Sequence, residues 1–313
     1  MHCDKQTPPS RGSTYFDMTL LIDAQMTGRN RHISTTTAFS RKLSKALGYV
    51  VLSLLTAGVV VFQGCDQLPS LPSMPTLQGP IPLPTQSLPA SHATKFTECP
   101  QFFVGGKTPV VPAAPKLREL CYEAFAILHS GESRTPVFVA EKLNREAVLD
   151  ADEKRSDKFF ADARLPRAER AELSDYKGSG YSRGHMAPAG NMPTPAAMSQ
   201  SFSLANMVPQ NAKQNSGPWA KIEKDTRLYA ARASGDVFVI TGPVFDSTST
   251  TMGSNQVRVP GHLYKLVYDA ETGRAWAHWQ PNTADARAGQ PISYGELKRR
   301  IGMDLLPGLP LGQ

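Results

Sequence analysis

The first 46 residues lack any sustained apolar periodicity: Arg29, Arg31, Arg41, Lys42 and Lys45 are set among serine and threonine. Residues 1–45 are therefore expected to be a basic, unstructured N-terminal region. Charge is absent from residues 46–64, an apolar run that follows the basic cluster and stops at Cys65. A basic flank, an apolar core and a small-residue end predict one apolar helix that acts as a signal peptide or a membrane anchor, since its length is just short of the roughly 20 residues that a spanning helix needs. The positive flank predicts that the N-terminus stays in the cytoplasm. The rest of the chain is then expected to be exported: periplasmic, anchored to the outer face of the inner membrane, or secreted, with the membrane as a partner if 46–64 is uncleaved. Lipid attachment at Cys65 is a further option. Charge is missing again between Gln67 and Thr94, where prolines recur at 69, 72, 75, 80, 82, 84 and 89, which favours an extended, semi-rigid spacer over a packed element and makes 65–94 a proline-rich linker.

Cysteine is scarce. Of four, Cys3 precedes the apolar run and Cys65 ends it, so only Cys99 and Cys121 remain for the folded part. Neither stands in a Cys-x-x-Cys or near a histidine at ligand spacing, which argues against zinc and for a disulfide in an oxidising compartment. No internal repeat is present. What is plentiful is positive charge: 34 lysines and arginines against 27 acids give +7, which suits a polyanion without identifying one.

Residues 95–313 read as one α+β domain. The segments 135–140, 236–241, 262–268 and 275–279 are short β-branched or aromatic runs bounded by glycine, proline or aspartate, as strands are. Segments 115–128 and 218–233 read as helices, the second starting from the cap-and-proline signal Ser216-Gly217-Pro218.

Three segments carry candidate chemistry: Asp175-Tyr-Lys-Gly-Ser-Gly-Tyr-Ser-Arg-Gly-His-Met-Ala-Pro-Ala, Leu204-Ala-Asn-Met-Val-Pro-Gln-Asn, and Asn215-Ser-Gly-Pro-Trp-Ala-Lys-Ile-Glu-Lys-Asp-Thr-Arg. In the third, Asn215, Trp219, Glu223 and Arg227 recur every four residues, so on a helix Asn215 and Glu223 share a flank with Trp219 between them. Asn215 at the helix start can cap it or hold an ion. Read alone, this is an N-cap, a core tryptophan and a surface ion pair. Arg183-Gly184-His185 adds a cation, a flexible joint and an imidazole that can take a proton at neutral pH, which is what attack on a phosphodiester requires.

These segments resemble the DNA/RNA non-specific endonuclease family, which includes mitochondrial endonuclease G and has the ββα-metal active site. Its signature is Asp-Arg-Gly-His, then Asn-x-x-Pro-Gln, then Asn-x-x-x-Trp-x-x-x-Glu. The similarity runs from about Cys99 to Leu309 and includes Thr241-Gly-Pro-Val-Phe, Val259-Pro260, Tyr264-Lys265 and Gln280-Pro-Asn. It implies a ββα-metal nuclease fold with an antiparallel sheet, and a magnesium-dependent endonuclease cutting DNA and RNA without sequence preference, with Mn²⁺ as a substitute ion. By position, His185 activates water, Asn215 ligates a largely hydrated Mg²⁺, and Glu223 holds water bound to it. Asn206 positions the site, Arg183 and Arg227 contact phosphate, and Arg155 matches a further family arginine across a stretch of variable length. DNA and RNA would be engaged through phosphate, and a homodimer is open, since family members are often dimers. One position departs: Ser182 stands where the family usually has aspartate, which bears on rate and metal preference more than on reaction class.

Two other readings compete. Gly180-Tyr-Ser-Arg-Gly184 formally matches the Gly-x-Ser-x-Gly elbow of serine hydrolases, although an elbow needs an apolar strand before the serine and a helix after it. A catalytically degenerate nucleic-acid-binding protein on the same scaffold would bind without cutting.

Overall fold

Seven antiparallel strands form the sheet on which the rest of the protein is mounted. The computed structural model describes residues 90–309 and 311; the expected segments 1–45 and 46–64 lie outside the described residues, as does most of 65–94. In chain order the strands used here are β1 (Leu117–Cys121), β2 (Phe125–Ser130), β3 (Thr135–Leu143), β4 (Ser182–His185), β5 (Met207–Gln210), β6 (Val237–Val244), β7 (His262–Asp269), β8 (Ala275–Pro281) and β9 (Ile292–Ser293). The large sheet has the order β9-β8-β7-β6-β3-β2-β1, while β4 and β5 form a separate antiparallel pair. Helix α1 spans Ala220–Ala230 and α2 spans Tyr294–Ile301. The stretch between β3 and β6 leaves the sheet, builds the β4-β5 hairpin and α1, and returns.

Both faces of the sheet are covered, so its inner strands are buried along nearly their whole length. On one face Leu128, Phe138, Ala140, Ile240 and Leu266 pack with Phe96, Phe103 and Leu297. On the other, Phe125, Ile127, Val139 and Leu263 pack with Met186, Phe202, Trp219 and Ile222 from the excursion. Cys99 and Cys121 are bonded, with their Cα atoms 5.8 Å apart, and tie the segment before the sheet to its edge strand. Among the described residues no helix is long and apolar enough to cross a membrane.

The four expected strands are present. The helix expected over 115–128 is instead the β1-β2 hairpin, closed where Tyr122 N–H donates to the Phe125 carbonyl at 2.9 Å. Phe125 to Leu128 are all buried because β2 lies inside a sheet covered on both sides, and such a strand has no alternation to set it apart from a buried helix. The second helical stretch begins earlier than expected. The Asn211 side chain accepts from Lys213 and Gln214 N–H at 3.0 and 3.3 Å, so Asn211, not Ser216, is the cap. Pro218 falls within a π-helical turn over Asn215–Trp219, whose wider ring tolerates a residue without an N–H. Finally, Ser91–Ala93, expected within the linker, pair as a short strand with Val110–Pro112.

Candidate active site

Strand β4 is the first wall. Its alternation sends Arg183 and His185 to one side of the hairpin, and both line a polar cavity of about 270 Å³ together with Arg155, Asn215, Glu223 and Arg227. The residues singled out by spacing therefore meet, with Trp219 wholly buried beneath them. Asn206 is elsewhere: its side chain accepts from Ala187 N–H at 2.9 Å and donates to the Ala187 and Ser201 carbonyls, both at 2.9 Å. It holds the backbone that follows His185.

Gly184 is not a flexible joint. It sits in regular strand, and a Cβ there would fall 1.8 Å from Gln210 Oε1. Glycine is required because the buried Gln210 side chain fills that space. Ser182 opens this strand, paired with Gln210. It stands at no strand-to-helix elbow, so the serine-hydrolase geometry is not formed.

His185 is 8% exposed, and its ring meets Phe202 edge to face at 5.0 Å. Burial, reinforced by the Arg155 guanidinium and opposed by Asp157, pushes its pKa down to about 3, so the imidazole is neutral at physiological pH. Nε2 is buried and has no hydrogen-bond partner among the described residues. Arg155 lies over Phe202, 4.9 Å from its centroid, and is paired with Asp157 at 2.6 Å; Arg183 lies over Phe159 at 4.1 Å. These aromatic contacts orient two cations at the cavity rim.

Beneath the cavity is a polar cluster that spacing did not reveal. Glu141 on β3, Thr241 on β6 and Lys265 on β7 share one sheet face, and all are buried. Lys265 Nζ donates to Thr241 Oγ1 at 2.7 Å and to the Met186 carbonyl at 3.5 Å, the latter next to His185. Asn191 donates to Glu141 at 2.9 Å, and Arg227 donates to the Asn191 Oδ1 at 3.2 Å. Gly190 makes room, since a Cβ there would lie 3.3 Å from the Arg227 guanidinium carbon. Burial raises the Glu223 carboxyl, with Lys265 and Arg227 opposing it. Asn282, in the Gln280-Pro-Asn segment, accepts from Asn211 N–H at 2.7 Å and donates to the Pro209 and Pro260 carbonyls at 3.0 and 2.9 Å. It pins the start of the helical stretch that carries Asn215. Two signals pointed to Lys265, a charge inside the apolar run of β7 and the Tyr264-Lys265 pair in the family resemblance, but neither placed it under the site.

The donor set has no cluster of three histidines, cysteines or acids among the described residues. An amide oxygen and one carboxylate beside a polar cavity suit a hard cation that keeps most of its water, and do not suit zinc.

A family model described as DNA/RNA non-specific endonuclease matches residues 107–310. Mitochondrial nuclease EXOG of Xenopus laevis is 37% identical over 202 residues, 61% of this chain and 50% of that protein. Mitochondrial endonuclease G of Homo sapiens is 32% identical over 164 residues, 49% of this chain and 55% of that protein. The chain thus spans about half the length of the curated relatives it matches. Among solved structures, a complex of EndoG with its inhibitor EndoGI aligns with a TM-score of 0.57 at 23% identity, over 69% of this chain and 93% of that one, which shows a shared fold, the ββα-metal fold with its antiparallel sheet. The expectation of export, to the periplasm, to the outer face of the inner membrane or by secretion, is corrected here, because these relatives are mitochondrial nucleases and not exported proteins. A basic flank before an apolar run is judged by sign and length alone, and those do not identify a destination.

Proposed function

The chain belongs to the DNA/RNA non-specific endonuclease family, a family of metal-dependent nucleases, and from that premise we propose that it hydrolyses internal phosphodiester bonds of DNA and RNA, with His185 as general base. The observation that carries this reading is the convergence of His185, Asn215, Glu223 and three arginines on one polar cavity.

His185, held neutral by burial, accepts a proton from the attacking water. An incoming phosphate offsets the Arg155 charge that disfavours imidazolium, so the base strengthens as substrate arrives. Arg155 and Arg183 at the rim and Arg227 behind them bind the phosphate oxygens and stabilise the charge that builds in the transition state. Asn206 keeps the His185 backbone in place. Asn215 would hold a magnesium ion, with Glu223 binding its water, and the ion would supply charge neutralisation at the phosphate and leaving oxygen. Contacts to phosphate position a nucleic acid without reading bases, so sequence preference is slight.

The test incubates the purified chain with supercoiled plasmid and with RNA, in Mg²⁺ or EDTA, beside His185→Ala. Magnesium-dependent breakdown of both, slowed about 10²- to 10⁴-fold in the variant as for loss of a general base, is the expected result. Binding of DNA without cleavage of either substrate would replace this reading with the catalytically degenerate one.

A further inference from the structure

A cavity of about 700 Å³ opens beside the one that holds His185 and shares Arg155 and Arg183 with it. Its size is within the range of small-molecule sites. Phe159, Tyr176, Tyr181 and Leu173 give it apolar walls, Lys177 adds a third cation, and Asp157 is its one carboxylate, paired with Arg155 at 2.6 Å, so the lining stays net positive. Flat rings with cations at the mouth are what a nucleobase joined to a phosphate requires, the base stacking and the phosphate pairing with charge.

Three features show that this cavity is built. The Arg183 guanidinium sits over the Phe159 ring, 4.1 Å from its centroid, so cation and ring form one platform. Tyr176 is 6% exposed and lines the wall, yet its hydroxyl has no hydrogen-bond partner among the described residues. A buried hydroxyl left without a partner is destabilising. The loop between Tyr176 and Tyr181 is held by the buried Asp175, which accepts from Asn255 N–H at 3.0 Å and from its side-chain amide at 2.9 Å. Gly178 and Gly180, at φ +72° and +81°, supply the left-handed turns that bring Tyr181 to the cavity edge. Four residues further along the chain comes His185, ~13 Å at the rise of a strand.

We propose that this cavity receives one unstacked nucleoside of the substrate strand, next to the phosphodiester cleaved at His185. Its base stacks on Tyr181 and the Phe159–Arg183 platform, and its phosphate meets Lys177 and Arg155. The proposal rests on the nuclease reading above. A base must leave its stack to enter, which costs least in a single strand or at a mismatch, nick or end, so single strands are cut in preference to intact duplex.

The test uses the full chain and separates binding from turnover. Equilibrium binding of a short single-stranded thymidine oligonucleotide is measured in EDTA, for the parent, Tyr181→Ala, Tyr181→Phe and Lys177→Glu. Stacking energies predict a Kd about tenfold higher in Tyr181→Ala and little changed in Tyr181→Phe. Lys177→Glu, on an exposed side chain that cannot disturb the core, should also weaken binding. In Mg²⁺, bis(p-nitrophenyl) phosphate, which carries no nucleoside, should be hydrolysed equally by parent and Tyr181→Ala, while KM for the oligonucleotide rises and kcat stays. Unchanged Kd values in both Tyr181→Ala and Lys177→Glu overturn the nucleoside site, as does an equal loss on the two substrates. Failure of the parent to hydrolyse either substrate would sink the nuclease reading, and the binding arm would still decide the site.

Discussion

The side-chain amide of Asn191 lies 2.9 Å from the buried carboxylate of Glu141 and at the same time accepts from Arg227. One residue of a short turn therefore links a strand of the central sheet to a cation on α1, across a boundary that is mainly apolar apart from this polar cluster. The link fixes how far Arg227 can reach into the cavity.

Glu141 makes this link sensitive to pH. Burial, opposed by Lys265 and by the Asn191 amide, pushes its carboxyl up from 4.5 to about 7. The folded chain then binds the extra proton between those values, so stability falls as pH rises through the window and is level above it. The gap amounts to about 3 kcal/mol. His185 acts in the opposite sense: held down to about 3 against 6.5, it withdraws stability as pH falls below its unfolded value. Urea unfolding across pH 4.5 to 8 on parent and Glu141→Gln isolates the first contribution. The stability difference between them should change across the window and level off above about 7; a constant difference would mean that Glu141 titrates as an exposed carboxylate does.

Gly184→Ala tests the packing of β4. Its Cβ would lie 1.8 Å from Gln210 Oε1 and 2.5 Å from Gln210 Cβ, so the β4-β5 pairing must shift. Overpacking costs about 1–3 kcal/mol, and the displaced His185 should lower turnover by about 100-fold. Gln210→Ala in the same chain should restore part of both, measured as Tm and kcat.

Asn215→Ala should lower activity and raise the Mg²⁺ concentration for half-maximal rate together. A residue that touches the ion should cost no less than the about 10- to 100-fold seen for residues that only support ligands. A magnesium titration like that of the parent would remove Asn215 from the ion's surroundings.

The Cys99–Cys121 bond closes a loop of 22 residues. Chain entropy assigns such a loop about 3 kcal/mol, so reduction or Cys121→Ser should lower the denaturant midpoint accordingly while plasmid cleavage at 25 °C persists.

Much of this protein is legible one segment at a time. The four expected strands are local runs of β-branched and aromatic side chains, and the four-residue spacing of Asn215, Trp219, Glu223 and Arg227 puts them on one flank whatever that flank faces. Two cysteines in the folded region leave one pairing. The 115–128 segment failed for the reason that makes β2 stable: burial on both faces erases the alternation by which a strand is recognised.

By itself, then, the sequence determined which side chains share a local face and which motifs follow one another, because helix and strand periods are properties of the backbone. Only the tertiary structure decided that Glu141, Asn191, Thr241 and Lys265 meet under the site, that Gly184 has no room for a side chain, and that His185 is neutral. Each of these depends on what a remote segment brings into contact, and burial, which sets both the space and the charge state, is not written in local spacing.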